Sequence, residues 1–115
     1  MPSTIEVVNK HQLSPEEQKK CIYIGRGSPL GNPYKVKPYG PYDRGATLEL
    51  YEEHLRGALI RRLPRVVASM QLIEDRVLSG ETVRLMCFCK QAGRDVACHG
   101  DVIKKIIEER INNQP

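Results

Sequence analysis

Two short stretches of the chain carry residue types that could bind an anion or transfer a proton. The first, Gly25 to Pro33 (GRGSPLGNP), places three glycines and two prolines around Arg26 and Asn32. The second, Cys98 to Asp101 (CHGD), brings a thiol, an imidazole and a carboxyl group together within four residues. An arginine on a fixed loop can bind a phosphate or carboxylate through two nitrogens, and histidine or aspartate can move a proton. These stretches form the candidate site.

In the first stretch, Arg26 and Gly27 are candidate ligand-binding residues. Arg26 directly follows a β-prone segment, and a glycine such as Gly27 lets the backbone approach a ligand closely or adopt positive φ. The alternative for Arg26 is an ordinary surface arginine in a turn. Asn32 could offer its amide to a base or a sugar, but it could equally bond its own backbone as a turn residue.

In the second stretch, Cys98, His99 and Asp101 are candidate catalytic residues, and Gly100 is a candidate ligand-binding residue. They precede or open the last predicted helix, where unpaired amides and the positive end of the helix dipole favour an anion. An accessible Gly100 amide would contribute to that site. The same environment would favour the thiolate of Cys98 as a nucleophile. Asp101 is also explained by the dipole alone, since acidic residues favour helix N-termini.

The cysteines raise the question of a zinc site. Zinc knuckles usually separate paired ligands by two to four residues in a turn, whereas Cys87 and Cys89 alternate on a predicted strand. The adjacent residues Cys98 and His99 cannot easily converge on one ion. The sequence therefore predicts neither a metal site nor another cofactor, and it predicts that Cys87, and with it Cys89, acts as a small buried side chain.

Hydrophobic periodicity predicts the elements that position these stretches. The predicted strands are Thr4 to Val8, Cys21 to Ile24 and Val83 to Phe88. The predicted helices are a single turn from Pro15 capped by Ser14, a helix from Ala46 to near Leu63, a helix from Pro64 to a stop at Gly80, and a helix from Asp101 onward. The last strand is a nearly continuous apolar run, which is typical of a central strand covered on both faces.

This order predicts a single domain over residues 1–115 with an α/β fold, a small Rossmann-like layer structure whose short, mainly parallel sheet is flanked by helices. The helices between Cys21–Ile24 and Val83–Phe88 provide a crossover, so these strands are expected to be central, parallel neighbours. Both would end at the same edge, where open α/β sheets bind ligands. We therefore expect the two candidate stretches around one solvent-reachable pocket, completed by Arg44.

Charge and hydropathy narrow the range of partners. Lys and Arg outnumber Asp and Glu by 18 to 14, and the pI is about 9.0. This balance favours a phosphate-bearing small molecule, with nucleic acid as a further possibility. Four arginines could follow a nucleic-acid backbone or simply form a solvated face: Arg56, Arg61, Arg62 and Arg65. No apolar run approaches the ~20 residues that span a bilayer, and the N-terminus lacks the apolar core of a signal peptide. We therefore expect a cytoplasmic protein without a membrane partner.

Several of these motifs together resemble a known family. They are Tyr23-Ile24-Gly25-Arg26, Leu30-Gly31-Asn32-Pro33, Arg44, and Cys87-x-Cys89 followed by Cys98-His99-Gly100-Asp101-Val102. The combination is similar to the family called domain of unknown function 4326, found in phages and bacteria, although the family usually has Trp where this chain has Phe88. The resemblance covers most of the chain from Cys21 and implies no activity. The strand, loop and Cys-His helix also resemble a second small family, which implies a Rossmann-like layer fold.

These observations predict a small nucleotide- or nucleoside-handling protein of nucleic-acid metabolism, with a hydrolase or transferase acting at an N-glycosidic or phosphate bond as the first hypothesis. Arg26 and the helix start at Gly100 would hold phosphate, Asn32 would orient the base or sugar, and His99 or Asp101 would move the proton. Two alternatives are a non-catalytic nucleotide-binding or sequestering module and a DNA- or RNA-associated accessory protein. The residues leave the choice open, because they contain neither paired carboxylates nor a complete triad.

Overall fold

The computed structural model describes residues 5–25, 27–33, 44–87 and 99–113. The elements within them are β1 (Ile5–Asn9), a 3-10 turn (Lys10–Gln12), α1 (Pro15–Lys19), β2 (Ile22–Tyr23), α2 (Arg44–Ile60), α3 (Pro64–Leu78), β3 (Val83–Cys87) and α4 (His99–Asn112). The predicted α/β fold and its order of elements are confirmed, with small shifts at the ends. None of the described helices is long and apolar enough to cross a membrane.

The three strands form one parallel sheet in the order β1-β3-β2. β3 pairs with β1 along its full length, and with β2 at Ile22–Leu85 and Tyr23–Met86. The predicted parallel pairing of the strands around Tyr23 and Met86 is confirmed. The expectation that both are central is wrong for β2, which is an edge strand of the described sheet because β1 occupies the other side of β3.

One face of this sheet forms the core with α2, α3 and α4. Alternate residues of a strand share a face, so each strand contributes every second side chain. The strands contribute Ile5, Val83, Leu85 and Cys87 to the core, Val7 and Ile22 are partly buried against it, and Ile24 joins it just after β2. The helices add Tyr51, Leu55, Met70, Ile73, Val102, Ile103, Ile106 and Ile107. The main core is therefore a layer of helices against one side of the sheet.

The opposite face of the sheet carries an exposed ion pair. Arg84 of β3 lies beside Glu6 of β1 in register, and the Arg84 Nε is 3.2 Å from the Glu6 carboxylate. Both side chains are about half exposed, at 44% and 53%. The expectation that β3 is covered on both faces is therefore wrong at Arg84, which pairs across the strands in contact with solvent.

Two helix ends follow the predicted capping signals. Ser14 caps α1 through a capping box in which its Oγ accepts from the Glu17 N–H and the Glu17 carboxylate accepts from the Ser14 N–H. These hydrogen bonds lower the pKa of Glu17. After α3, Gly80 has a φ of 91°, and the Gly80 and Glu81 N–H groups close the helix end. This is the left-handed position that glycine prefers after a helix.

The end of α2 differs from the prediction. The helix stops at Ile60, earlier than Pro64 requires, because Arg62 adopts a φ of 55°. The Arg62 N–H then donates to the Leu59 carbonyl, and the Leu63 N–H donates to the Ala58 carbonyl. These two bonds are a Schellman helix end with arginine at the position where glycine is usual.

Candidate functional site

The two candidate stretches meet at the carboxyl edge of the sheet. All three strands run parallel, so β1, β2 and β3 end at the same side. Ile24 follows β2 at this edge, and His99 opens α4. The His99 Nε2 lies 2.6 Å from the Ile24 carbonyl oxygen, across 75 positions of sequence. The end of β2 and the start of α4 are thus in direct contact, as the parallel arrangement predicted.

His99 is fixed on two sides. Because a carbonyl oxygen only accepts, the contact with Ile24 requires Nε2 to carry the hydrogen. The imidazole also meets the ring of Tyr51 edge-on, with centroids 5.2 Å apart and planes at 79°. In the neutral ring, this tautomer makes Nδ1 the basic nitrogen. The side chain is only 3% exposed, because Ile24 and Tyr51 pack against it.

Gly100 lets the start of α4 pack directly on the sheet. A Cβ at this position would lie 2.7 Å from Val7 Cγ1 and 2.9 Å from Ile24 Cδ1, closer than side-chain carbons approach. Gly100 itself is buried. The expectation of an accessible Gly100 amide is therefore wrong, and the need for glycine comes from close packing of helix and strand.

The loop after β2 is held by its own hydrogen bonds. The Ser28 N–H and Oγ both donate to the Gly25 carbonyl, at 3.1 and 2.7 Å, and the Gly31 N–H donates to the Ser28 carbonyl at 3.0 Å. Gly27 has a φ of 91° with open space around it, so its backbone conformation requires glycine. At Gly31, a Cβ would lie 2.7 Å from the Gly25 carbonyl oxygen. Two successive turns therefore fix the backbone of this loop.

Tyr51 of α2 connects this loop to His99. Its hydroxyl donates to the Leu30 carbonyl at 2.6 Å, and its ring is the one that contacts His99. Tyr51 and Leu30 are 1% and 2% exposed. One buried side chain thus positions both candidate stretches. The sequence placed Tyr51 on a buried helix stripe but did not reveal this role; the available signal was its hydroxyl, since a buried tyrosine hydroxyl needs a partner.

Two buried polar residues were also missed. Asn9 ends β1 at the carboxyl edge and is 6% exposed, and Thr47 lies one turn before Tyr51 on α2 and is 1% exposed. Buried polar side chains are held by hydrogen bonds, which makes their positions specific. For Asn9, the sequence feature that could have revealed its position is an amide side chain at the end of an apolar strand.

The other candidates are only partly described. Arg26 and Cys98 lie outside the described residues, and for Arg44 only its position as the first residue of α2 is described. Asn32 is half-buried just after the double turn. The structure therefore brings together His99, Gly100 and the loop that contains Gly27 and Asn32.

Asp101 is placed away from His99. It is exposed and lines a shallow groove of about 390 Å³ along the outer side of α4, together with Lys104 and Lys105. Residues two apart on a helix point in nearly opposite directions, so the buried His99 and the exposed Asp101 do not face one another. The helix dipole is sufficient to explain an acid at this position.

The described cysteines are structural. Cys87 is fully buried in the core, as predicted. Cys21 is half-buried; its Sγ donates to the Glu17 carbonyl at 3.3 Å, and burial raises the pKa of its thiol. Within the part of the chain that the structure describes, no group of three or more His, Cys, Asp or Glu side chains could hold a metal ion. Cys89, like Cys98, lies outside that part.

The chain belongs to the family described as "Domain of unknown function (DUF4326)", whose model matches residues 7–109. The resemblance drawn from the motifs is therefore confirmed, and the match includes both candidate stretches. No curated protein and no solved structure matched the chain.

Proposed function

We propose that this protein binds a nucleotide or nucleoside at the carboxyl edge of its sheet, between the Gly25–Pro33 loop and the start of α4. The observation that carries the proposal is the 2.6 Å contact between His99 Nε2 and the Ile24 carbonyl oxygen, which joins the two stretches. Open parallel sheets bind nucleotides between the loops at this edge. A net charge of +4 also favours an anionic ligand.

The hydrogen bonds of the Gly25–Pro33 loop support the roles proposed for its residues. Arg26 lies in sequence between Gly25 and Gly27, and the carbonyl of Gly25 accepts two hydrogen bonds from Ser28. In the proposal, its guanidinium binds phosphate through two nitrogens, and Arg44 adds a second positive charge. The open space around Gly27 gives a ligand access to the backbone. Asn32 then orients the base or the sugar.

A catalytic role is the second candidate, and the contact of His99 with Ile24, just before the Gly25–Pro33 loop, favours it. Because Nε2–H is held by the Ile24 carbonyl, Nδ1 is the ring nitrogen that carries no hydrogen in the neutral imidazole. In this version the protein is a hydrolase or transferase acting at an N-glycosidic or phosphate bond, with Cys98 as an adjacent nucleophile. As part of the same proposal, it is a Rossmann-like protein that works in the cytoplasm of a bacterial or phage-infected cell.

Calorimetric titration tests the binding site. The ligands are a panel of nucleosides, nucleoside mono- and triphosphates, and inorganic phosphate. We expect at least one nucleotide to bind the parent protein. Arg26→Ala should weaken this binding about ten- to a hundredfold, since a charge-assisted hydrogen bond contributes about 1.5 to 3 kcal/mol. The control Arg76→Ala makes the same charge change in the last turn of α3 and should bind like the parent.

Three outcomes would contradict the proposal: no ligand of the panel binds, Arg26→Ala binds as tightly as the parent, or Arg26→Ala melts far earlier than Arg76→Ala. The last result would make Arg26 a structural residue. Chromatography of each bound ligand after incubation separates the two candidates. Released base or phosphate indicates an enzyme, and unchanged ligand indicates a binding or sequestering module.

A further inference from the structure

The turn between α2 and α3 carries a basic surface that the nucleotide proposal does not use. This surface, the α2–α3 corner, consists of Ile60 to Arg65 (IRRLPR), and all six residues are exposed. No Asp or Glu occurs between Glu53 and Glu74 in the sequence. The charged side chains of the corner are therefore all positive, with no acidic residue nearby in sequence.

Three arginines of the corner have no carboxylate partner among the described residues: Arg61, Arg62 and Arg65. Arg61 donates to the backbone carbonyl of Gly57 at 3.3 Å. Two other helical arginines, Arg56 of α2 and Arg110 of α4, are paired with carboxylates. Arg56 lies 2.9 Å from Glu52 and 3.0 Å from Glu109, and Arg110 lies 3.2 Å from Glu74. The four-arginine surface considered from the sequence is thus divided, because Arg56 joins helices whereas the other three face solvent.

The backbone at Arg62 adds a second observation. Its φ of 55° places it in the left-handed region, at the helix-end position that glycine prefers. A side chain with a Cβ is less stable than glycine in this conformation. An arginine at such a position indicates a use for its side chain beyond closing the helix.

We propose that the α2–α3 corner binds the phosphate backbone of a nucleic acid. Guanidinium groups bind phosphates through two nitrogens, and three of them occur here within five residues. Ile60 and Leu63 are 81% and 39% exposed. Their side chains can contact sugars and base edges next to the phosphates that the arginines bind. The overall charge of +4 does not oppose a polyanion.

The same corner is a poor match for other anionic partners. A stable protein interface needs about 20 to 30 residues on each side, far more than this turn offers. Membrane docking needs a broad apolar helix face, usually with aromatic side chains, whereas the corner has two aliphatic side chains and no aromatic one. A phosphate backbone needs only a short row of arginines.

The corner is separate from the nucleotide site. α2 begins at Arg44, after the loop at the carboxyl edge, and ends at Ile60. Tyr51, which contacts His99 and Leu30, lies nine residues before Ile60, about 13 Å along the helix at 1.5 Å per residue. The two sites can therefore be tested with separate variants.

Fluorescence anisotropy with labelled single-stranded and duplex DNA and RNA, measured over a series of salt concentrations, tests the proposal. We expect the logarithm of the association constant to fall with log salt at a slope of about −2 to −3, as for three neutralised phosphates. Replacing both Arg61 and Arg65 with alanine should reduce the slope to about −1. The control Lys19→Ala/Lys20→Ala removes the same charge from the end of α1 and should leave the slope unchanged.

Arg62→Gly separates binding from folding. It removes one phosphate contact, so the slope should become shallower by about 0.7 to 0.9. Glycine also suits the left-handed backbone, so the thermal midpoint should not fall below that of the parent. Absence of binding at low salt, an unchanged slope in the arginine variants, or an equal loss in the lysine control would overturn the proposal. Binding to anionic vesicles or an acidic protein in preference to the oligonucleotides would do the same.

Discussion

His99 acts first as a positioning residue, whatever chemistry it performs. Its Nε2–H satisfies the Ile24 carbonyl just beyond the end of β2, and its ring packs on Tyr51. Histidine suits this position because one side chain supplies both a hydrogen-bond donor and a flat ring. The candidate site therefore depends on a residue that also stabilises the fold.

Replacing His99 with alanine should lower the free energy of unfolding by about 1 to 3 kcal/mol, because the buried Ile24 carbonyl loses its donor. Urea unfolding followed by circular dichroism measures the change. His54→Ala is the matched control: His54 is exposed on α2 and its loss should change stability by less than about 0.5 kcal/mol. Equal stabilities of the two variants would show that the contact with Ile24 contributes little.

At the scale of the elements, the site depends on how closely α4 approaches the sheet. Gly100→Ala would force a Cβ against Val7 and Ile24, so we expect a loss of about 1 to 3 kcal/mol of stability. Gly57→Ala is the control and should increase stability. A Cβ at this position meets nothing within 4 Å, and alanine in a helix is more stable than glycine by about 0.5 to 1 kcal/mol. Thermal unfolding of both variants measures the difference. A stabilised Gly100→Ala protein would contradict the packing at the start of α4.

The α2–α4 contact should depend on pH. Hydrogen bonds from Lys105 and then Arg56 lower the pKa of Glu52 from its usual 4.5. Because the folded pKa is the lower one, this stabilisation is present above about pH 4.5 and is lost as the pH falls through the folded pKa. When the free energy of unfolding is plotted against pH, we expect Glu52→Gln to show a smaller decrease on the acid side than the parent. Glu53 is an exposed neighbour of Glu52, and the control Glu53→Gln should behave like the parent. Parallel curves for all three proteins would show that this ion pair contributes nothing measurable.

At the scale of the whole molecule, comparison of the structure with the sequence predictions shows which features can be predicted. Hydrophobic periodicity and local capping signals predicted the helices, the cap at Ser14 and the glycine after α3. The crossover between the strands predicted their parallel pairing. These features depend on residues close in sequence or on a general topological rule.

For several features that depend on long-range packing, the sequence led to a wrong prediction or to none. The edge position of β2 depends on β1 pairing with β3, and the burial of Gly100 depends on Val7 and Ile24. The ion pairs of Arg56 and Arg84 join residues 53 and 78 positions apart. Side-chain type alone does not specify such partners, so the sequence could name the candidate residues without telling which are buried.

The molecule as a whole offers two surfaces, the carboxyl edge beside Tyr51 of α2 and the α2–α3 corner at the end of that helix. The most direct test of the central claim is an amide chemical-shift titration of the ¹⁵N-labelled protein with the tightest nucleotide of the panel. The account predicts the largest changes at Gly25, Gly27, Asn32 and His99, with little change at the corner. The largest changes at Arg61 to Arg65, or changes spread evenly over the helices, would contradict a nucleotide site at the carboxyl edge.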